Sequence, residues 1–378
     1  MKIIDMKVFV VGNPWKNWIF VKLYTDEGIE GLGEATGGLS TKPIIGYLEE
    51  IKHKIVGLDP RNITAIRDTI YKALFLGDAA SAGAGINCAC WDILGKSLNV
   101  PVYRLLGGKY HEKIRVYANG WYQGPREPAY FAARAKEIVS MGYTALKFDP
   151  FGNNYMYMSR EEERLSMSII AAVRETLGEN VDLLIEGHDR FSISQAVRLG
   201  LMMEEYSPFW FETPVLSTDT NAINEVARKI NVPVISAERA KSVTDVVAAL
   251  EGRAINMVNP EYLGVGGISG LQECFAAARG FHAYLAPHNA QSPYSTAVNV
   301  HVGTANDNLL IQECFDESSV SWTKDILQGY PVQQNGYISV SEEPGVGVTL
   351  NEKEALKHPY SERNFLRLFE AGWERRNS

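Results

Sequence analysis

Three glutamates end three successive apolar runs at a constant spacing. Glu186, Glu212 and Glu238 lie 26 residues apart, and each follows a short stretch of apolar side chains. Carboxylates that share a desolvated site repel one another, so such a cluster persists most easily around a cation. Carboxylate oxygens are hard ligands that suit Mg²⁺. We therefore predict a Mg²⁺ site. The alternative is that each glutamate pairs with a nearby basic residue, such as Arg239.

Two histidines occupy comparable positions. His188 comes two residues after Glu186, which in an extended strand places both on one side, and His288 ends the apolar run Tyr284–Pro287. Imidazole titrates near neutral pH and serves as a general acid or base. The two histidines therefore indicate an acid and a base beside the acidic cluster, and the alternative is that both only pack.

Three further polar residues stand at the ends of apolar runs. Lys147 and Asp149 share one face of the run Leu146–Pro150, and Glu313 follows Ile311-Gln312. Lys147 is expected either to hold a substrate carboxylate or to lie in an internal ion pair. Glu313 is expected to hydrogen-bond the substrate or to be a wall residue. All three are candidate substrate-binding residues.

These side chains need a scaffold that brings many strand ends together. Eight apolar runs alternate with helical stretches: Arg115–Asn119, Thr144–Phe148, Asp182–Glu186, Phe209–Glu212, Val234–Ala237, Ile255–Val258, Ala283–Pro287 and Leu310–Cys314. Parallel strands that are buried on both faces have this continuous apolar character. The pattern predicts an α/β fold, a TIM-type (β/α) barrel, in which working residues lie at the carboxyl ends of the strands.

The segments that flank the predicted barrel differ from it. Residues 1–113 combine an alternating β-like pattern from Ile3 to Tyr24 with helical periods, which predicts a small α+β capping domain. Residues 333–378 are too short for a domain, and we expect them to return to the N-terminal unit. The barrel is expected to occupy residues 114–332.

The composition excludes several classes of protein. Lys and Arg number 37 against 45 Asp and Glu, a formal charge of −8, and no basic run follows a phosphate backbone, so nucleic acid is an unexpected partner. No apolar run approaches the ~18 residues of a membrane-spanning helix, and the N-terminus lacks a signal-peptide pattern. We expect no membrane partner and a cytoplasmic location. The four cysteines form no zinc or CxxC pattern and are expected to be buried free thiols.

In order and spacing, the motifs of this chain resemble the enolase superfamily, specifically its mandelate racemase-like group and the acid-sugar dehydratases of galactonate or gluconate type. The resemblance covers essentially the whole chain. It implies a modified (β/α)₇β barrel with a capping domain, and homo-oligomers are usual in the family. The motifs are Thr25-Asp26-Glu27-Gly28, Trp91-Asp92-Ile93-Leu94-Gly95-Lys96, Glu186-Gly187-His188, Phe211-Glu212-Thr213-Pro214, Glu238-Arg239, Gly266-Gly267-Ile268, Ala286-Pro287-His288 and Gln312-Glu313.

The resemblance also implies roles for individual residues. Glu186, Glu212 and Glu238 would bind one Mg²⁺ that holds the carboxylate of a small-molecule sugar acid. His288 would remove the proton α to the carboxylate, which gives an enediolate. His188 would protonate the departing 3-hydroxyl, and the product enol would become a 2-keto-3-deoxy sugar acid.

Two positions depart from the pattern of the family. An aspartate usually stands behind the histidine base, whereas this chain has Asn259-Pro260-Glu261, so Glu261 is expected to reach His288 with a longer side chain. The second lysine of the Lys-x-Lys pair, a base in racemases, is replaced by Asp149, which favours dehydration. The alternatives are a cycloisomerase or epimerase that acts on a sugar acid or lactone, and a barrel that binds a sugar acid without catalysis.

The loop Gly12–Trp18 is the candidate for recognition of the distal end of the substrate. The resemblance implies that the N-terminal unit caps the barrel mouth, and loops of this kind carry specificity. Trp15 and Trp18 are candidate substrate-binding residues that would either stack on a sugar chain or anchor the loop.

Overall fold

The computed structural model describes residues 1–37, 40–73, 80–315, 320–362 and 368–373. The strands are β1 (Ile3–Gly12), β2 (Asn17–Thr25), β3 (Glu30–Glu34), β4 (Ile114–Ala118), β5 (Ala145–Phe148), β6 (Asp182–Glu186), β7 (Trp210–Glu212), β8 (Val234–Ile235), β9 (Met257–Val258), β10 (Tyr284–Leu285), β11 (Gln312–Cys314), β12 (Leu327–Gln328), β13 (Tyr337–Ile338) and β14 (Thr349–Leu350).

From β4 to β11, at least one helix separates each strand from the next. The helices of the described residues are α1 (Thr41–Ile55), α2 (Ile63–Ala73), α3 (Ala80–Leu98), α4 (Val102–Leu105), α5 (Pro128–Ser140), α6 (Arg160–Leu177), α7 (Ile193–Met203), α8 (Thr220–Ala227), α9 (Val243–Glu251), α10 (Tyr262–Val265), α11 (Gly267–Gly280), α12 (Pro293–Thr304), α13 (Thr323–Ile326) and α14 (Glu352–Ala355).

The N-terminal unit is an antiparallel sheet with helices on one face. Its strands pair in the order β1-β2-β3, and α3 packs directly on β3. The close approach requires glycine, because a Cβ atom at Gly31 would lie 2.2 Å from the carbonyl oxygen of Ala89, and one at Gly33 would lie 1.9 Å from that of Gly85. The helices and the sheet together bury an apolar core of their own.

The eight predicted barrel strands are present and form a closed ring. Strands β4, β5, β6, β7 and β8 are parallel neighbours, β9 pairs with β10, and β11 returns to pair with β4. Single parallel bridges, Ser236 with Val258 and Leu285 with Leu309, join the remaining edges. Within residues 114–315, which are described without a gap, a helix of at least eight residues precedes each strand after β4 (α5, α6, α7, α8, α9, α11 and α12), and the short α10 precedes α11. The predicted (β/α)₇β barrel with a capping domain is confirmed.

Large side chains fill the barrel interior beneath the carboxyl ends of the strands. Tyr117 and Trp210 meet edge to face, with ring centroids 5.5 Å apart, and both are fully buried. The indole Nε1 of Trp210 donates a hydrogen bond to Oε2 of Glu212 at 2.9 Å. The interior is therefore packed, and its upper layer supports a carboxylate of the predicted site.

The C-terminal segment contacts both parts of the molecule. Glu352 in α14 accepts hydrogen bonds from Lys22 and Tyr24 of β2 in the N-terminal unit. Further on, Trp373 Nε1 donates to the carbonyl oxygen of Gly152 at 3.0 Å, which brings the chain back to the barrel. Residues 363–367 and 374–378 of the predicted segment lie outside the described residues, and the boundaries at 113 and 332 stay predictions.

Two further expectations concern the cysteines and the presence of membrane-spanning helices. All four cysteines are buried free thiols, which confirms the prediction from the sequence. Among the described residues, no helix combines the length and the apolar character that crossing a bilayer requires.

Candidate active site

The structure brings the three glutamates together at the carboxyl ends of adjacent strands. Glu186 and Glu212 end β6 and β7 in register, and Glu238 follows β8. One oxygen from each carboxylate lies within 4.8 Å of the other two. The side chains of Glu186 and Glu212 are buried, whereas that of Glu238 is 25% exposed. The cluster therefore opens on the side of Glu238.

A buried lysine neutralises part of this cluster. Lys147 Nζ lies 3.2 Å from Glu186, 2.8 Å from Glu212 and 2.9 Å from Glu313. Of the two alternatives for Lys147, these distances and its burial favour the internal ion pair. Arg239 instead pairs with Asp189 at 2.5 Å. Among the described residues, two of the three glutamates, Glu186 and Glu212, have a lysine or arginine partner, and for both it is Lys147.

The donor set fits a hard divalent cation. Three carboxylates outnumber the one lysine that reaches two of them, and Glu238 has no lysine or arginine partner among the described residues. An all-oxygen set with an open side suits Mg²⁺, which keeps positions for water or substrate oxygens. Glu186, Glu212 and Glu238 are the residues that would hold it.

Burial and neighbouring charges shift the pKa values of Glu186 and Glu212 in opposite directions. Burial raises the pKa of Glu212 well above its usual range, and the neighbouring charge of Glu186 adds to this effect. Burial also opposes ionisation of Glu186, but His188 and Lys147 outweigh it and lower its pKa to about 2. Burial lowers the pKa of Lys147, but Glu212 and Glu313 raise it well above 10.5, so the lysine stays charged.

His288 forms a pair with Glu261 at one side of the cluster. Its Nδ1 lies 2.8 Å from Glu261 Oε2, and its Nε2 lies 3.6 Å from Glu238 and 4.0 Å from Glu313. Burial lowers the pKa of His288, but these carboxylates raise it, to about 10. The longer side chain of Glu261 thus reaches the ring and leaves Nε2 directed to the cluster. A cation on Glu238 would weaken the rise in the pKa.

His188 forms a second pair, with Asp149. Its Nδ1 lies 2.6 Å from Asp149 Oδ2, and its backbone N–H donates to Glu186 Oε1 at 2.7 Å. The expectation of an extended strand at His188 is wrong, because its φ is +51° and the chain turns there. The turn allows the backbone amide to hold Glu186 while the ring reaches across to β5.

Asp149 lies behind His188 rather than at an open surface. It is fully buried, and the guanidinium of Arg190, itself fully buried, donates to its Oδ2. Burial opposes ionisation, but Arg190 and His188 outweigh it and lower the pKa of Asp149. Because two basic groups contact the buried carboxylate, its surroundings favour a role for Asp149 as the partner of His188 over direct contact with a substrate.

Glu313 is also fully engaged in the structure. Its Oε1 accepts from Asn119 Nδ2 at 2.7 Å and from Lys147, and its Oε2 accepts from the backbone N–H of Asn289 at 2.6 Å. Asn119, Asn289 and Arg190 also belong to the site, although the sequence motifs did not indicate them. Asn119 ends the first barrel strand, and the other two follow a candidate histidine by one or two residues, so a search around these positions would have found them.

The two tryptophans of the N-terminal loop have different surroundings. Trp15 is half-buried between β1 and β2, and its Nε1 donates to the carbonyl oxygen of Ala290 at 3.3 Å, while its ring lies 5.1 Å from that of Phe315. Trp18 lies in β2 rather than in the predicted loop, is 2% exposed and packs edge to face on Phe20 within the core. The burial of Trp18 favours a structural role as an anchor over stacking on a substrate. Trp15 stays a candidate for contact with the substrate, since it lies beside Ala290, two residues after His288.

An aromatic side chain from the C-terminal segment borders His188. The ring of Trp373 stands edge to face with the imidazole, with centroids 6.0 Å apart, and lies 6.4 Å from the ring of Tyr122. Trp373 is 5% exposed. The site is therefore assembled from the N-terminal loop, the barrel and the C-terminal segment.

Comparison with known proteins agrees with this architecture. Residues 7–107 match the N-terminal domain model of mandelate racemase and muconate lactonizing enzyme, and residues 130–354 match the enolase C-terminal domain-like model. A D-gluconate/D-galactonate dehydratase of Picrophilus torridus is 35% identical over 90% of this chain and 88% of its own length. A D-gluconate dehydratase of Thermoproteus tenax is 33% identical over 91% of this chain and 70% of its own length.

A solved structure extends the comparison to three dimensions. A member of the enolase superfamily from Salmonella Typhimurium superposes with a TM-score of 0.90 at 31% identity, over 95% of this chain and 98% of that one. The resemblance drawn from the sequence motifs is confirmed. The chain belongs to the mandelate racemase and muconate lactonizing enzyme family of the enolase superfamily.

Proposed function

We propose that this protein catalyses the Mg²⁺-dependent dehydration of a sugar acid, an aldonate or aldarate, to a 2-keto-3-deoxy sugar acid through an enediolate. One observation carries the proposal: two histidine–carboxylate pairs flank the glutamate cluster from strands four places apart in an eight-stranded ring, His188 after β6 and His288 after β10. The names of the relatives, which are sugar-acid dehydratases, support it.

His288 is the base in this proposal. Its Nδ1 is bound to Glu261, so the neutral ring carries a proton on Nδ1 and a lone pair on Nε2, which is directed to the cluster. The Nε2 atom takes the proton from the carbon next to the substrate carboxylate. Mg²⁺ held by Glu186, Glu212 and Glu238 would supply electrostatic stabilisation of the negative charge that develops on that carboxylate.

His188 is the acid. The electron pair left at the α-carbon forms a double bond to the next carbon, whose C–O bond breaks, and His188 gives its Nε2 proton to the departing hydroxyl, which leaves as water. The resulting enol tautomerises to the 2-keto acid. Asp149 holds Nδ1 of His188 and stabilises the imidazolium before the transfer.

The surroundings of the cluster suit a carboxylate substrate. Lys147 and Glu313 lie beside Glu212, and Lys147 keeps its positive charge there. We propose that the buried ion pair of Lys147 and Glu313 lies behind the position of the substrate carboxylate, and that Trp15 borders the distal end of the substrate. No second lysine base stands at position 149, so protonation on both faces of the α-carbon, which racemisation needs, has no evident agent.

The test is an assay of the purified protein with Mg²⁺ and a panel of aldonic and aldaric acids, starting with D-gluconate and D-galactonate. Formation of a 2-keto acid from one or a few of them is expected. Deuterium uptake at the α-carbon without loss of water would instead favour an epimerase or cycloisomerase. Thermal stabilisation by an acid with neither product nor exchange would favour a non-catalytic binding barrel.

A further inference from the structure

A continuous line of hydrogen bonds joins the N-terminal loop to the histidine base. Lys16 Nζ donates to Gln291 Oε1 at 3.1 Å, and Gln291 Nε2 donates to Glu261 Oε2 at 3.1 Å. The same Oε2 atom faces His288 Nδ1 at 2.8 Å. Lys16 and Gln291 are 275 residues apart, so the line crosses from the capping unit to the barrel.

The capping unit holds the residues on both sides of Gln291 as well. Trp15 Nε1 donates to the carbonyl oxygen of Ala290, and Glu34 accepts from the backbone N–H and the hydroxyl of Ser292, at 3.2 and 2.5 Å. Three consecutive residues, directly downstream of His288 and Asn289, therefore contact the capping unit. Ser292 also caps α12, so the downstream end of this stretch is fixed.

Glu261 has Gln291 as a hydrogen-bond donor in addition to His288, and this second partner restricts the orientation of its carboxylate. A glutamate carries one more rotatable bond than the aspartate that the family usually has at this position, so its carboxylate has more orientations to lose. Its Oε1 is buried without a hydrogen-bond partner among the described residues, and Oε2 therefore takes the bonds from both Gln291 and His288. Of these two partners, only Gln291 can fix the carboxylate independently of the imidazole.

The geometry assigns Gln291 and Lys16 as positioning residues for the proposed base. Gln291 orients Glu261 and, through it, the His288 ring, and Lys16 orients the Gln291 amide from the capping loop. The capping unit in this arrangement sets the direction of His288 Nε2 in addition to enclosing the substrate. The assignment rests on the proposed function only for the role of His288 as a base.

The first test reads the ring of His288 directly and needs no turnover. Protein with ¹⁵N-labelled histidine is compared by NMR as wild type, Gln291→Leu and Lys16→Met, with His288 assigned by its loss in His288→Asn. We expect Gln291→Leu to shift both ring nitrogens of His288, and Lys16→Met to shift them less and in the same direction. The internal reference is His301, which is buried in α12 and whose ring nitrogens contact the backbone of Tyr103 and Val346 rather than the His288–Glu261–Gln291 line. Unchanged His288 signals in both variants would overturn the assignment.

The second test separates positioning from substrate binding. With a sugar acid that is turned over, Gln291→Leu is expected to lower kcat by about 10- to 100-fold with KM changed less than about two-fold. The kinetic isotope effect with α-deuterated substrate should rise, because proton abstraction becomes slower. Lys54→Met, at an exposed position of α1, is the matched control for Lys16→Met.

The double variant shows whether Lys16 acts on His288 through Gln291. Lys16→Met combined with Gln291→Leu should be no slower than Gln291→Leu alone. A raised KM with unchanged kcat in Lys16→Met would show direct contact with the substrate and would overturn its positioning role. If the wild type converts no sugar acid, the proposed function fails, and the NMR comparison still decides the positioning of His288.

Discussion

Asp149 and His188 form a closed pair, in which the carboxylate Oδ2 lies 2.6 Å from the imidazole Nδ1 and the aspartate is fully buried. Asp149→Asn keeps the size of the side chain but removes the charge that stabilises a protonated ring. We expect kcat for dehydration to fall about 10²- to 10⁴-fold. Exchange of the α-proton with D₂O, which uses His288 and not His188 in the proposed mechanism, should continue. Proton NMR in D₂O measures both rates.

The control for this change is Asp307→Asn. Asp307 pairs with Arg279 on the surface, at 2.6 Å, and its loss should leave both rates unchanged. Equal losses of exchange and dehydration in Asp149→Asn would contradict an acid role for His188, because exchange does not use that residue.

His288→Asn should abolish both dehydration and α-proton exchange. The amide cannot accept a proton at this site, and loss of a general base typically slows a reaction by ~10²–10⁴. Circular dichroism and Mg²⁺ titration should show an intact fold and metal site. His282→Asn is the matched control, since His282 is exposed and its φ of +57° suits asparagine. A variant with unimpaired rate would remove His288 as the base.

Lys147→Met should destabilise the protein unless Mg²⁺ is present. Removal of one partner from a buried ion cluster typically costs about 3–5 kcal/mol, because the remaining charges are left uncompensated. Mg²⁺ should therefore raise the Tm of the variant more than the Tm of the wild type, which differential scanning calorimetry measures. Lys229→Met, which breaks the exposed pair with Glu225, is the control. An equal Mg²⁺ effect in both proteins would argue against metal binding at this cluster.

His301 should make the fold acid-sensitive. Burial lowers its pKa to about 4 in the folded protein, against 6.5 when it is free. The unfolded chain therefore binds the extra proton first, and stability falls as the pH falls from about 6.5 towards 4. The expected loss from pH 7 to pH 5 is about 2 kcal/mol. Urea unfolding of wild type and His301→Gln should show a shallower pH dependence in the variant; identical slopes would rule out this contribution.

Substitution of Trp15 should affect substrate binding, whereas substitution of Trp18 should affect stability. Trp18→Ala empties a buried site and should cost about 3–5 kcal/mol of folding free energy. Trp15→Ala, at the mouth, should instead raise KM for the sugar acid. Chemical denaturation and steady-state kinetics on both variants make the comparison, and each protein is the control for the other. An unchanged KM in Trp15→Ala would leave Trp15 only as a loop anchor.

The sequence predicted the barrel and the glutamate cluster because both follow from periodicity. Apolar runs at regular spacing locate the strands, and parallel strands bring their carboxyl ends to one edge, so Glu186, Glu212 and Glu238 had to meet. The partner of each side chain was harder to predict. Asp149 stands where an inward-facing residue is expected. The chain turns at His188, however, and the carboxylate of Asp149 contacts the His188 ring and the buried guanidinium of Arg190.

Contacts between distant segments account for the remaining differences. Gln291 is an unremarkable residue in the sequence, and only the approach of Lys16 and Glu261 gives it a partner on each side. Trp15 and Trp18 are three residues apart in a segment predicted as one loop, but Trp18 lies in β2, where it pairs with Val11 and is buried. Such lateral contacts depend on side-chain rotamers and on packing, which a periodic pattern does not encode.

Because Trp373 borders His188, proteolysis near this residue would change the surroundings of the site and so affect measured rates. A protease that clips the chain just before this residue would remove the indole that borders His188 and bonds to Gly152, while the barrel and the glutamates stay in place. We expect such material to keep the glutamate cluster, whereas the ring of His188 would lose its contact with the indole. Intact mass should therefore be recorded for each preparation before rates are compared.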